Sequence, residues 1–169
     1  EFYELLSLSN DAHFPQDIEK NVQWCETAFT NRGFTTKRMN TPTVPLLLAE
    51  RIVKNAKKTV LIYLQIDGQP VNPTQWEQES PWKPTLKEKD AIGKWHAIAY
   101  ERLYEDLNPD WRIFARATSD AKGPAMAFLA SLDALKELKS EPNFNMKVIM
   151  DFEEELGSPN LPAAVSQYK

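Results

Sequence analysis

Carboxylates stand at the ends of three apolar runs in this 169-residue sequence. Asp67 follows "VLIYLQI", Asp120 follows "WRIFARATS", and Glu154 and Glu155 follow "VIMDFE". Two carboxylates about 4 Å apart repel by roughly 4 kcal/mol at an effective dielectric of about 20. Carboxylates gathered together are therefore protonated, paired or coordinated to a metal. In an open α/β sheet, ligands bind outside the carboxyl ends of parallel strands. If these runs are parallel strands, the three acidic points meet at one edge. Lys122 is one counter-charge, but one lysine does not balance four carboxylates. A divalent cation is the more economical solution. Taken singly, each feature has a plainer reading. Asp67 in "DGQP" caps a turn. Ser119 or Asp120 caps the helix that follows. "EEE" is a solvated charge run.

The surrounding periodicities supply elements that position these residues. Residues 1–9 fit a short helix. "FPQDIEKNVQWCETAFTNRGF" fits a second, with Pro15 at its start and Gly33 past its end. Ile18, Val22, Cys25 and Phe29 recur at helical spacing, so Cys25 reads as core. Residues 35–39 and 44–53 read as an edge hairpin. "KTVLIYLQID" (58–67) is a continuous apolar run, the pattern of a central strand. "WRIFARA" (111–117) reads as a shorter strand, and "FNMKVIMDF" (144–152) as a buried one. "GPAMAFLASLDALKELK" (123–139) is a strong helix, and a last helix begins after "GSPNLP". The expected fold is α/β, a mixed, mostly parallel sheet flanked by helices. Residues 68–110 read as a long loop or insertion. Trp76, Trp82, Trp95 and Tyr100 suggest that it packs on the body.

With the motifs assembled, the sequence resembles the M20 metallopeptidases. "LIYLQIDGQPV", "ARATSDAKGP" and "DFEEELGSPN" look like that family's three N-terminal motifs in order and spacing, across essentially the whole chain. The resemblance implies the zinc-exopeptidase-like catalytic domain, holding two zinc ions in a shared site. It implies that Asp120 bridges the ions, Glu155 is a ligand and Glu154 is the general base. It places Gln65 where the family has a zinc-binding histidine, and Asp67 where an aspartate orients that histidine. Glu153 falls where the family has no catalytic residue. An amide oxygen is a far weaker zinc ligand than imidazole, so the second site is expected to be weak, altered or lost. Adjacent strand residues point to opposite faces. Glu154 and Glu155 share a site only if the backbone leaves the strand, and Gly157 makes that bend feasible. The family's remaining ligands and its lid or dimerisation domain lie outside residues 1–169. The expectation is thus the N-terminal part of a longer enzyme, paired as a homodimer through the missing domain and inactive as this piece alone.

The implied activity is metal-dependent hydrolysis of an amide bond in dipeptides or N-acyl amino acids. "EEELGSPNL" looks closest to the carnosinase-like dipeptidases. A second reading is a non-catalytic peptide-binding relative with a degraded metal site, motivated by Gln65. A third is an unrelated α/β domain holding Mg²⁺ for phosphoryl chemistry, and the lack of a phosphate-cradling glycine loop counts against it. The net charge of −4 gives no electrostatic footprint for nucleic acid or an anionic membrane. No apolar run approaches the ~20 residues that span a bilayer. The single cysteine excludes an internal disulfide and leaves the redox compartment open. The chain starts at Glu1 inside a helix-like stretch, so a trimmed N-terminus is expected and the compartment stays open. His13 and His96 lie away from every motif and read as surface residues.

Overall fold

The computed structural model describes residues 1–167. Two helices open the chain, α1 (Phe2–Ser7) and α2 (Pro15–Thr30). A hairpin follows, β1 (Thr35–Met39) and β2 (Leu46–Arg51), then β3 (Thr59–Gln65). After a middle region come α3 (Lys122–Glu137), β7 (Asn145–Asp151) and α4 (Leu161–Ser166). The main sheet has four strands in the order β1-β2-β7-β3.

The sheet is mixed and flanked by helices, as the pattern implied, but it is not mostly parallel. Only β3 and β7 run parallel; β1 with β2 and β2 with β7 are antiparallel. Physically, the short connection after Met39 permits only a hairpin, whereas the β3-to-β7 crossover carries α3. A second correction concerns β3. It lies at an edge of this sheet rather than at its centre. Val60 is 41%, Leu61 63% and Tyr63 43% exposed. An apolar run alone does not distinguish an edge from a centre.

Residues 68–110, read as a long loop or insertion, carry secondary structure of their own. They contain β4 (Thr85–Lys89) and β5 (Trp95–Ala97), which join β6 (Arg112–Phe114) in an antiparallel sheet ordered β5-β4-β6. Trp95 meets the Phe114 ring edge-on at 5.1 Å, and Tyr100 meets Tyr3 at 5.3 Å. β6 therefore belongs to the small sheet, and Asp120 does not reach the site as the end of a main-sheet strand.

The helices α2 and α3 cover one face of the main sheet. Ile18, Val22, Cys25 and Phe29 pack with Ala125, Leu129 and Leu132 over Leu47, Leu64, Val148 and Met150. On the opposite face α4 sets Ala164 against Met39, Leu46 and Leu48. No helix among the described residues is long and apolar enough to cross a membrane.

The turn that leads into α3 is tightly closed. Lys122 N–H donates to the Ala117 carbonyl at 3.0 Å. A Cβ placed on Gly123 would lie 2.2 Å from the Thr118 carbonyl oxygen. That atom is backbone and cannot swing aside. Gly123→Ala should therefore destabilise the protein by about 3 kcal/mol, the upper end of the overpacking range. Urea denaturation would read it.

On the far edge, Arg38 donates to both Glu26 carboxylate oxygens, at 2.8 and 2.7 Å, and to Glu19 at 2.9 Å. The guanidinium holds the Glu26 carboxyl below the usual glutamate range, against a smaller opposing effect of burial. A depressed folded-state pKa gives stability that is present above the unfolded pKa and lost as pH falls through the folded one. Glu26→Gln should cost about 0.5–1 kcal/mol at neutral pH, as for exposed pairs. The difference from wild type should close as pH falls below the ordinary glutamate range. Paired urea titrations over that range would check it.

Candidate metal centre

The parallel register sets Gln65 of β3 opposite Asp151 of β7. Leu64 and Ile66 face the α2–α3 core. By strand alternation Tyr63 and Gln65 point to the other face. Asp151 shares that face and is fully buried. Its carboxylate accepts the Tyr63 hydroxyl at 2.9 Å and the Glu153 backbone N–H at 3.1 Å. The Gln65 amide is half-buried and makes no hydrogen bond among the described residues.

Beyond Phe152 the chain leaves the strand in a 3-10 turn, Glu154–Leu156, closed by Gly157 with φ at +85°. A left-handed conformation favours glycine there. This turn separates the three consecutive glutamates. Glu153 is buried, and its two oxygens accept Thr43 Oγ1 and Asn160 Nδ2, each at 2.6 Å. It is a tie between the β1–β2 connection and α4, consistent with its lying outside the implied site. Glu154 and Glu155 are half-buried and project from the turn.

Asp67 joins the two strand ends. It is only 2% exposed, and one carboxylate oxygen accepts the Glu155 backbone N–H at 3.0 Å. The other oxygen has no partner among the described residues. Burial pushes its carboxyl up to about 6, while the backbone N–H groups of Glu155 and Glu154 pull it back. Here Asp67 braces the Glu154–Glu155 turn, a role the motif alone did not reveal.

Asp120 lies exposed on the turn before α3, next to a cis Asp120–Ala121 peptide. Neither it nor Ser119 caps α3; the N-cap is Ala121, with no side-chain cap bond. Burial raises the proton affinity of Glu154, and so do the charges of Glu155, Asp120 and Asp151. The structure thus brings Glu155, Asp120 and Asp151 within electrostatic reach of Glu154. Lys122 does not relieve them. It is fully buried, and its Nζ donates to the Leu5 and Leu8 carbonyls, each at 2.7 Å. Burial pushes it down to about 7. The expectation that Lys122 serves as a counter-charge is corrected: its ammonium is bound to main-chain oxygens.

The donor types suit a hard or borderline divalent cation: two carboxylates, an amide oxygen, and an uncompensated excess of negative charge. The shell is short, however. Among the described residues no three His, Cys, Asp or Glu side chains lie in a metal-binding arrangement. His13 pairs with Asp11 at 2.8 Å and His96 with Asp90 at 2.7 Å, both half-exposed and at the surface. Cys25 is buried in the core, where burial pushes its thiol up to about 12.

No family model matches the chain. It is 27% identical over 165 residues to the Cys-Gly metallodipeptidase dug1 of Schizosaccharomyces pombe, covering 92% of this chain and 30% of that protein. It is also 27% identical over 128 residues to the Beta-Ala-His dipeptidase of Rattus norvegicus, covering 76% of this chain and 22% of that one. Among solved structures it resembles the M20 family metallo-carboxypeptidase Sso-CP2 from Sulfolobus solfataricus. The TM-score is 0.75 at 28% identity, over 98% of this chain and 33% of that one. The chain spans about a third or less of the length of these proteins. Ordered carboxylate turns on a helix-flanked mixed sheet, with these relatives in sequence and in fold, make the chain a relative of the M20-family metallodipeptidases.

Proposed function

We propose that the whole protein hydrolyses the amide bond of a dipeptide or an N-acyl amino acid, with Glu154 as general base. The observation that carries this reading is the Asp67 brace on the turn that bears Glu154 and Glu155, with burial and the charges of Glu155 and Asp120 making Glu154 hold its proton more tightly than an isolated glutamate. The relatives named as dipeptidases supply the substrate class.

In this reading Asp120 and Glu155 hold zinc, with Gln65 as a weak further donor. If two ions are held, Asp120 would be the carboxylate shared between them. A bound zinc supplies a water of lowered pKa and a polarised carbonyl. The chain's own contribution is orientation and proton transfer. Asp67 accepts the Glu155 N–H and so sets the direction of the turn that carries both glutamates. Glu154 takes a proton from the attacking water and delivers it to the departing nitrogen, where a carboxylate of raised pKa is the better matched base. A protein that binds peptides without cleaving them is the second reading, favoured by the unpartnered Gln65 amide and the short shell.

Zinc content and hydrolysis of Cys-Gly and β-Ala-His, measured on the full-length protein, test this assignment. Glu154→Gln should retain zinc and lose activity by about 10²-fold or more, as for removal of a general base. Asp120→Ala should lose both. Gln65→His should tighten zinc binding, because imidazole is the stronger ligand. A wild-type protein that binds peptides but cleaves none establishes the second reading instead.

A further inference from the structure

The carboxylates of the proposed centre ride on turns far apart in sequence. Asp67 follows β3, and Asp120 precedes α3. Both turns are hydrogen-bonded to one short stretch near the start of the chain, residues 5–10.

Lys122 makes the first connection. Its two 2.7 Å hydrogen bonds run to the Leu5 and Leu8 carbonyls, at the end of α1. Both carbonyls lie at the C-terminal end of α1, where a donor is favoured, and Leu5 O, which also accepts the Leu8 N–H at 3.3 Å, has a second lone pair for Lys122. Asn10 makes the second connection. It is fully buried, its Nδ2 donates to the Ile66 carbonyl at 2.8 Å, and its own carbonyl accepts the Gly68 N–H at 2.9 Å. Asn10 therefore clasps the backbone on both sides of Asp67. Gly68 permits this approach, since a Cβ there would meet the Asn10 amide nitrogen at 3.0 Å. Asn21 of α2 secures the stretch from behind, with Nδ2 on the Ser9 carbonyl at 2.7 Å and the Asp17 carbonyl at 2.8 Å.

Filling space does not require this chemistry. A buried ammonium and a buried amide are costly to desolvate, and apolar side chains of similar size would pack without that cost. What polar groups add is direction, because each bond fixes a main-chain atom to within a few tenths of an ångström. We infer that residues Leu5–Asn10 form a strut that sets the spacing between the Asp67 and Asp120 turns, with Lys122 and Asn10 as its two positioning residues. The inference rests on the reading that these turns share a metal centre.

The test titrates zinc into metal-free full-length protein: wild type, Lys122→Met, Asn10→Ala and the double variant. Thermal unfolding is recorded in parallel. Each single substitution should weaken zinc binding by about 10–100-fold in a folded protein, the loss typical of groups that orient ligands from behind. The double variant should lose no more than about the larger single loss, because one broken end already frees the strut. If Lys122→Met does not fold, Lys122→Gln and Asn10→Ser carry the comparison. Two results overturn the strut while sparing the metal centre. One is unchanged zinc affinity with a lowered melting temperature. The other is single losses that multiply in the double variant. A wild-type protein that takes up no zinc overturns the metal reading, and the strut with it.

Discussion

The parallel register between β3 and β7 is the constraint on which the candidate centre depends. It runs from Thr59 opposite Asn145 to Gln65 opposite Asp151. Because side chains alternate in direction along a strand, a slip of one residue would turn Gln65 and Asp151 to the other face. The register is held by burial. Leu64, Ile66, Val148 and Met150 must face α2 and α3, and that choice sends Tyr63, Gln65 and Asp151 the other way. With both strands ending together, the Asp67 turn and the Glu154–Glu155 turn lie close enough for a direct hydrogen bond.

That arrangement concentrates negative charge, and the fold deals with most of it individually. Asp151 is buried against the Tyr63 hydroxyl and a backbone N–H. Glu153 is occupied by Thr43 and Asn160. Asp67 has one oxygen on the Glu155 N–H and one without a partner among the described residues. What remains is Asp120, Glu154 and Glu155; burial, and after it the charges of Glu155 and Asp120, raise the proton affinity of Glu154. The nearest lysine in sequence is spent on two carbonyls of the N-terminal stretch. Local hydrogen bonding thus satisfies Asp151 and Glu153 and half of Asp67, and gives the carboxylates of Asp120, Glu154 and Glu155 no cation among the described residues.

Much of this was legible in the residues. The α2 and α3 stripes, the β1–β2 hairpin and the buried β7 follow from apolar periodicity, and core packing at Ile18, Phe29 and Leu132 bears it out. The carboxylate turns stood at apolar run ends, and the need for a bend at Gly157 followed from strand geometry. Other features were hidden because they depend on partners remote in sequence. Strand order decides that β3 is an edge, and pairing with β4 takes β6 into a separate sheet. Nothing local to "SDAKGP" shows that its lysine reaches back to Leu5 and Leu8, or that Asn10 grips the backbone beside Asp67. Such long-range polar contacts leave no periodic trace.

The central claim is that a cation makes this acidic meeting point stable. Crystals of the full-length protein grown with zinc, measured with X-rays on both sides of the zinc absorption edge, test it directly. The account predicts an anomalous peak about 2.0–2.2 Å from carboxylate oxygens of both Asp120 and Glu155. An empty position there, with the two side chains turned apart into solvent, would contradict it.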